Sequence, residues 1–140
     1  MLIVMCSCAQ ISTIQSSQHS NSLSSYKRAY IQGLESDEWQ LNQALFYELN
    51  DMGFDVVAIP FKQPTDKDLI VKYSFDTGWD LEKYLKAFQF QFIDALSGRV
   101  ITSTSYSSTG IWKGKRDGRI EAAINDLRMK NGYPPSKQFN

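Results

Sequence analysis

The chain has 140 residues with 15 basic and 15 acidic side chains, so its formal net charge is zero. Hydrophobic residues make up 42% of it, which is enough to build the core of one folded domain and is not the composition of a disordered chain. A neutral chain has no overall field to attract nucleic acid, and no apolar run reaches the roughly 18 to 20 residues of a membrane-spanning helix.

The N-terminal segment 1–8 is apolar up to Ser7, a small residue that directly precedes Cys8. This order resembles the end of a bacterial lipoprotein signal peptide, in which the cysteine after a small residue is acylated and becomes the mature N-terminus. The resemblance implies lipid attachment at Cys8 rather than at Cys6, which follows the larger Met5. The segment has no Lys or Arg and is near the lower limit of about seven residues for a signal core. We therefore interpret it as a truncated signal.

The segment 9–25 is dominated by Ser, Gln, Thr and Asn and has too few apolar residues to bury itself. We expect it to be a flexible tether between a lipid anchor and the folded domain. The single histidine, His19, lies in this segment with no second His or Cys beside it. It therefore predicts neither a metal site nor a catalytic base.

A strand, a helix and a second strand are predicted at the start of the domain. The strands are 26–32 and 54–59, and the helix begins after Ser36 or Asp37 and ends before Gly53. Its apolar residues recur at spacings of three and four, namely Leu41, Ala44, Leu45, Leu49 and Met52. The length of this unit predicts that the two strands are parallel, either as neighbours or with one strand between them.

The stretch Asp68 to Tyr106 alternates apolar and polar residues in three runs, which predicts an antiparallel meander with one buried face. Its turns are expected at 76–81 and 94–99. A second helix is expected from Asp117 or Gly118 to Lys130. Its buried stripe consists of Ile120, Ala123, Ile124 and Leu127.

These elements predict an α+β fold for a single domain over 26–130, with a flexible tail over 131–140. The order is β-α-β, then the antiparallel meander and a C-terminal helix. The two helices are expected to pack on one face of a sheet of roughly five strands. The other face of that sheet would carry polar residues such as Gln89 and Gln91.

Catalytic motifs are lacking in the sequence, because its one histidine and both cysteines lie outside the predicted domain. Carboxylates are the remaining candidates for chemistry. Asp76, Asp80 and Glu82 surround the first predicted turn of the meander, where they could serve an enzyme or bind a hard cation. They do not follow the twelve-residue calcium-loop pattern, and we interpret them as solvated loop acids.

Several aromatic and basic residues are candidates for partner binding. Trp and Tyr are favoured where an apolar ring meets a polar rim, and a basic run can contact an anionic partner. Together with the polar sheet face, these candidates are Trp79, Tyr84, Gln89, Gln91, Trp112, Lys113 and Lys115.

The second meander turn carries a family resemblance. Its residues are Asp94, Ser97, Gly98, Arg99, Val100 and Ile101. Together with the cysteine, the tether and the order of elements, they resemble small bacterial envelope lipoproteins of unknown function. Similar domains occur in the Tol-system periplasmic protein and in lipoprotein activators of cell-wall synthases.

The resemblance implies a non-catalytic, lipid-anchored envelope protein without a cofactor. It would bind or assemble another envelope protein or a cell-wall component. Ala9 after Cys8 implies the periplasmic face of the outer membrane, by the usual sorting rule for such lipoproteins. Two alternatives stay open: an enzyme or metal-binding domain that uses the three carboxylates, and a soluble cytoplasmic domain whose N-terminus is merely apolar.

Overall fold

The computed structural model describes residues 9–15, 22–110 and 114–139. The strands are β1 (Gln10–Gln15), β2 (Arg28–Gln32), β3 (Asp55–Val57), β4 (Asp68–Asp80), β5 (Glu82–Asp94) and β6 (Val100–Ser107). The helices are α1 (Leu41–Asp51) and α2 (Arg116–Lys130), and a short 3-10 turn spans Leu23–Ser25.

The described strands form one six-stranded sheet in the order β1-β6-β5-β4-β2-β3. Strand β2 pairs in parallel with β3 on one side and with β4 on the other, whereas β4, β5, β6 and β1 pair antiparallel. The α+β class, the β-α-β unit and the meander are therefore confirmed. The sheet has six strands where about five were predicted.

The additional strand, β1, lies in the segment predicted as a flexible tether. It pairs with β6 along all six of its residues, and the Thr13 hydroxyl donates to the Thr104 hydroxyl at 2.9 Å. The tether prediction is wrong for Gln10–Gln15, because an edge strand is held by backbone hydrogen bonds and needs few apolar side chains. Leu23, also in that segment, is fully buried in the core.

The first turn of the meander is much shorter than predicted. Strands β4 and β5 continue through the predicted loop 76–81, and Asp80 pairs with Glu82 across Leu81. A register shift between Asp76 and Thr77 accommodates the long hairpin. Leu81 has a φ of 60° and is 87% exposed, so an aliphatic residue occupies the left-handed region at the tip.

Both helices bury their apolar stripes against the same face of the sheet. Leu45 and Leu49 of α1, and Ile124 and Leu127 of α2, belong to one core cluster with Phe90 of β5. Each of these side chains is 1% exposed or less, and such complete burial stabilises the fold by about 1.5–3 kcal/mol per side chain. No helix in the described part of the chain is long and apolar enough to cross a membrane.

The C-terminal segment packs on the domain instead of forming the flexible tail that was predicted. Ser136 is only 5% exposed, and its backbone N–H donates to Asn125 Oδ1 of α2 at 2.9 Å. Arg128 Nη1 donates to the Pro134 carbonyl at 3.0 Å. The two prolines prevent regular structure here, but the Pro134 carbonyl oxygen still accepts a hydrogen bond.

Candidate ligand-binding surfaces

The sequence-predicted partner-binding residues that the structure describes fall in two regions of the domain. Trp79, Tyr84 and Lys115 lie near the β4–β5 hairpin tip and the start of α2. Gln89 and Gln91 lie on the face of the sheet without helices, since they alternate with core phenylalanines. Three further predicted residues and the single histidine lie outside the described residues: Cys8, Trp112, Lys113 and His19.

The helix-free face contains a shallow depression of about 320 Å³. Ser74 and Asp76 of β4, Gln89 of β5, and Ser105 of β6 line it, whereas Gln91 does not. Apolar residues line it as well, including Phe75, Ala87 and Phe88, and Asp76 is its one charged lining residue. The depression therefore offers both polar and apolar groups for contact with another molecule.

The three candidate carboxylates are not brought together. Asp80 and Glu82 are opposed at the hairpin tip, whereas Asp76 pairs with Ala87 beyond the register shift. Four residues along a strand separate Asp76 from Asp80, a distance of roughly 13 Å. Within residues 9–15, 22–110 and 114–139, no group of three His, Cys, Asp or Glu side chains is placed to hold a metal ion.

A cavity of about 330 Å³ lies between the start of β5 and the start of α2. Two aromatic residues and four cationic residues line it, namely Trp39, Tyr84, Lys83, Lys115, Arg116 and Arg119. One acidic residue, Glu82, lies at the same cavity. We name this site the basic cavity.

Arg119 forms the buried wall of the basic cavity and is 1% exposed. Its guanidinium donates to three backbone carbonyls, those of Leu85 at 2.9 Å, Gly110 at 2.8 Å and Gly114 at 2.8 Å. Leu85 pairs with Thr77 of β4 just beyond the end of β6, and its carbonyl accepts from Arg119.

The guanidinium of Arg119 also lies against two aromatic rings. Its central carbon is 5.4 Å from the ring centroid of Tyr84 and 5.5 Å from that of Tyr106. Both distances are within the range of a cation–π interaction. Among the described residues, this buried charge therefore has carbonyl groups and two rings as its partners and forms no ion pair with a carboxylate.

Arg116 connects the start of α2 to the residues that precede α1. It donates to the backbone carbonyls of Trp39 and of Gln40, the latter at 2.9 Å, and forms an exposed ion pair with Asp117. Trp39 is held from its other side, because its indole N–H donates to Thr77 Oγ1 at 2.9 Å. The cavity wall is therefore fixed to both α2 and β4.

Four residues that line the basic cavity were not predicted from the sequence, namely Trp39, Lys83, Arg116 and Arg119. One signal for Arg119 was available. It lies four residues before Ala123 and so falls on the buried stripe of α2. An arginine on an apolar stripe indicates a buried charge with specific partners.

The turn that carries the family resemblance has a structural role. Asp94 Oδ1 accepts hydrogen bonds from the N–H groups of Leu96 at 3.0 Å and Ser97 at 2.8 Å. Its other oxygen accepts from the Tyr26 hydroxyl at 2.6 Å. Burial alone would raise the pKa of Asp94, but these hydrogen bonds lower that pKa below its ordinary value.

A second buried carboxylate, Asp68, lies at the same end of the sheet. Arg28 binds it with two hydrogen bonds of 2.7 Å, and the Thr65 N–H donates to it at 2.8 Å. Burial would raise the pKa of Asp68, and the hydrogen bonds from Arg28 and Thr65 bring it below the ordinary value. Both carboxylates accept hydrogen bonds from the backbone N–H groups of adjacent loops.

Comparison with known proteins shows a likeness in fold. No protein-family model matches the chain, and no curated protein matches it. Among solved structures, the fold is similar to that of a PelC dodecamer from Paraburkholderia phytofirmans, with a TM-score of 0.54. The two sequences are 15% identical, and the match covers 91% of this chain and 99% of that chain. A single-substitution variant of the PelC dodecamer from the same organism gives a TM-score of 0.52 at 15% identity, over 91% of this chain and 100% of the other.

Proposed function

We propose that this protein is a non-catalytic, lipid-anchored protein of the bacterial cell envelope. Its α+β domain would bind or assemble another envelope component, and would do so as a complex of several copies. The observation that carries the proposal is the likeness to PelC, a protein whose structure is a dodecamer, over nearly the full length of both chains.

Two features of the sheet support a role in assembly. Strands β1 and β3 are its edges, and each edge presents backbone N–H and C=O groups that can pair with a further strand. Ile14 of β1 is 65% exposed and pairs with Ser103, on the face without helices. An exposed isoleucine beside an open strand edge favours contact with a partner.

The lipid anchor is tested by expressing the full chain in a Gram-negative host and separating membrane from soluble fractions. We expect the wild-type protein in the outer-membrane fraction with an acylated N-terminal residue in mass spectra. Cys8→Ser should move the protein to the soluble fraction, and the matched variant Cys6→Ser should leave it in the membrane. An unmodified terminus at Met1 or Leu2 in a soluble fraction would instead favour the cytoplasmic alternative.

Assembly is tested by light scattering and native mass spectrometry of the purified protein. The chain has a mass of 16.0 kDa, so each added copy shifts the particle mass measurably. We expect particles that contain several copies, and we expect Ile14→Lys at the β1 edge to reduce their size. A monomer at every concentration tested would contradict assembly of this chain with itself.

The enzyme alternative has little support, because Asp76 lies apart from Asp80 and Glu82. Asp76→Asn and Asp80→Asn should therefore leave the function unchanged in any assay that depends on the folded domain. The resemblance to Tol-type and cell-wall-synthase-activator lipoproteins, and with it the identity of the partner, stays a prediction.

A further inference from the structure

The basic cavity holds more positive than negative charge. Four of its lining side chains are cationic and one, Glu82, is acidic. Two of the cations have exposed partners: Arg116 pairs with Asp117, and Lys83 lies 3.8 Å from Glu38 with about half of its side chain in solvent. Exposed ion pairs of this kind are weak and compete poorly with a bound anion.

The other two cations have no carboxylate partner in the described part of the chain. Arg119 is the first of these two cations. It is nevertheless buried, and its partners among the described residues are three carbonyl oxygens and two aromatic rings. A buried charge without a counter-ion is unfavourable, and an anion in the adjoining cavity would offset this cost.

Lys115 adds a mobile donor at the mouth of the cavity. Its side chain is exposed and makes no hydrogen bond or ion pair with any described residue, whereas its backbone carbonyl accepts from the Arg119 N–H at 3.1 Å. It also directly precedes α2, whose first-turn N–H groups carry the positive end of the helix dipole. Lys83 is the second ammonium at this cavity, and its Nζ also lies 5.8 Å from the ring centroid of Trp79.

The remaining walls suit a ring-shaped ligand. Trp39 and Tyr84 are aromatic and half-buried. The Tyr84 ring lies directly over Gly78. A Cβ added to this glycine would come within 2.3 Å of Tyr84 Cζ. The Tyr84 hydroxyl makes no hydrogen bond to any described residue. A volume of about 330 Å³ lies at the lower end of the range for ligand pockets, the size of a monosaccharide and not of a polymer segment.

We propose that the basic cavity binds a monosaccharide-sized oxyanion, with a carboxylate or phosphate placed between Lys83, Lys115 and Arg119 and with its ring beside Trp39 and Tyr84. This site does not depend on the lipid anchor or on assembly. Acidic sugars carry a carboxylate on such a ring, and sugar phosphates carry a phosphate. The experiment distinguishes these two classes of ligand.

The test is a titration of the purified protein with glucuronate, glucose 6-phosphate, inorganic phosphate and glucose. Binding is followed by calorimetry and by NMR, with the Trp39 indole N–H as a reporter inside the site. We expect saturable one-to-one binding of glucuronate or glucose 6-phosphate, weakened by added salt, and no binding of glucose. The tighter of the two ligands identifies carboxylate or phosphate as the preferred group.

The double variant Lys83→Gln/Lys115→Gln should weaken binding at least roughly tenfold, as expected for the loss of two charge-assisted hydrogen bonds. The matched control Lys67→Gln/Lys137→Gln removes two exposed lysines elsewhere and should bind as the wild type does. NMR spectra of both variants show whether the fold is retained. The proposal is overturned if neither sugar anion saturates the site, if inorganic phosphate binds as tightly as both, or if the lysine double variant binds as the wild type does.

Discussion

Glu48 of α1 and Arg128 of α2 form a buried ion pair, with the side chain of each residue only 1% exposed. Arg128 Nε donates to Glu48 Oε2 at 2.9 Å, and Arg128 Nη2 donates to Asp51 at 2.7 Å. Glu48 also accepts hydrogen bonds from the side chains of Ser136 and Gln138 in the C-terminal segment. One carboxylate therefore joins both helices and the end of the chain.

Replacing Arg128 by Met should destabilise the protein strongly. The change leaves Glu48 buried without its cationic partner, which costs about 3–5 kcal/mol of unfolding free energy. The double variant Glu48→Leu/Arg128→Met removes both charges and should recover part of that loss. Urea unfolding of the wild type and the variants measures these differences.

The control for this pair is Lys130→Met, in the same turn of α2. Lys130 pairs with Asp126 at 3.1 Å, but its side chain is 41% exposed, so the loss should be below about 1 kcal/mol. If Arg128→Met costs no more than Lys130→Met, the Glu48–Arg128 pair does not join the helices in solution.

The packed C-terminal segment predicts a measurable effect of Ser136→Ala. The variant removes one hydrogen-bond donor to the buried Glu48 carboxylate and should cost about 1–3 kcal/mol. Lys137→Ala, at the exposed neighbouring position, should change stability by no more than about 0.5 kcal/mol. Equal stability of the two variants in urea unfolding would mean that the segment is not packed on the domain.

Elements that bury an apolar stripe were predictable from the sequence. Burial of one side requires the three-and-four spacing of apolar residues in α2 and the alternation of Phe88, Phe90 and Phe92 in β5. Both patterns can therefore be read from the sequence. Strand β1 was missed because backbone pairing holds it and its side chains are mostly polar and exposed. Backbone hydrogen bonds leave no such periodic signal.

The basic cavity was only partly predictable, because a charged residue is usually exposed. Tyr84 and Lys115 were singled out from residue type, but nothing in the sequence indicates that they meet Trp39, which lies 45 residues before Tyr84. The turn at the hairpin tip was predicted to be too long, because Leu81 adopts a positive φ that favours glycine. Contacts across such sequence distances depend on the sheet register.

The lowered pKa values of Asp68 and Asp94 predict loss of stability in acid. A carboxylate whose pKa is lower in the folded protein contributes stability above its unfolded value of about 3.9, and this contribution is lost as the pH falls. The unfolding free energy should therefore be nearly constant from about pH 7 to 5 and decline below about pH 5. Urea unfolding at a series of pH values measures the decline.

Asp68→Asn and Asp94→Asn test the origin of this acid sensitivity. Each variant should be less stable than the wild type at pH 7 and should show a shallower decline below about pH 5, since one linked group is gone. Asp66→Asn, at an exposed position two residues before Asp68, should keep the wild-type slope. An unchanged slope in both Asp68→Asn and Asp94→Asn would assign the acid sensitivity to other groups.

Gly98 and Gly118 form a matched pair that separates backbone strain from side-chain contact. A Cβ at either position meets no atom within 4 Å, but Gly98 has a φ of 75° whereas Gly118 lies within α2. Gly98→Ala should therefore destabilise the protein by about 1 kcal/mol, through the left-handed backbone of the turn that Asp94 stabilises. Gly118→Ala should instead stabilise it by up to about 1 kcal/mol, because alanine favours the helix. Thermal and urea unfolding of the two variants should give shifts of opposite sign, and a destabilising Gly118→Ala would show that the start of α2 is not helical at this residue.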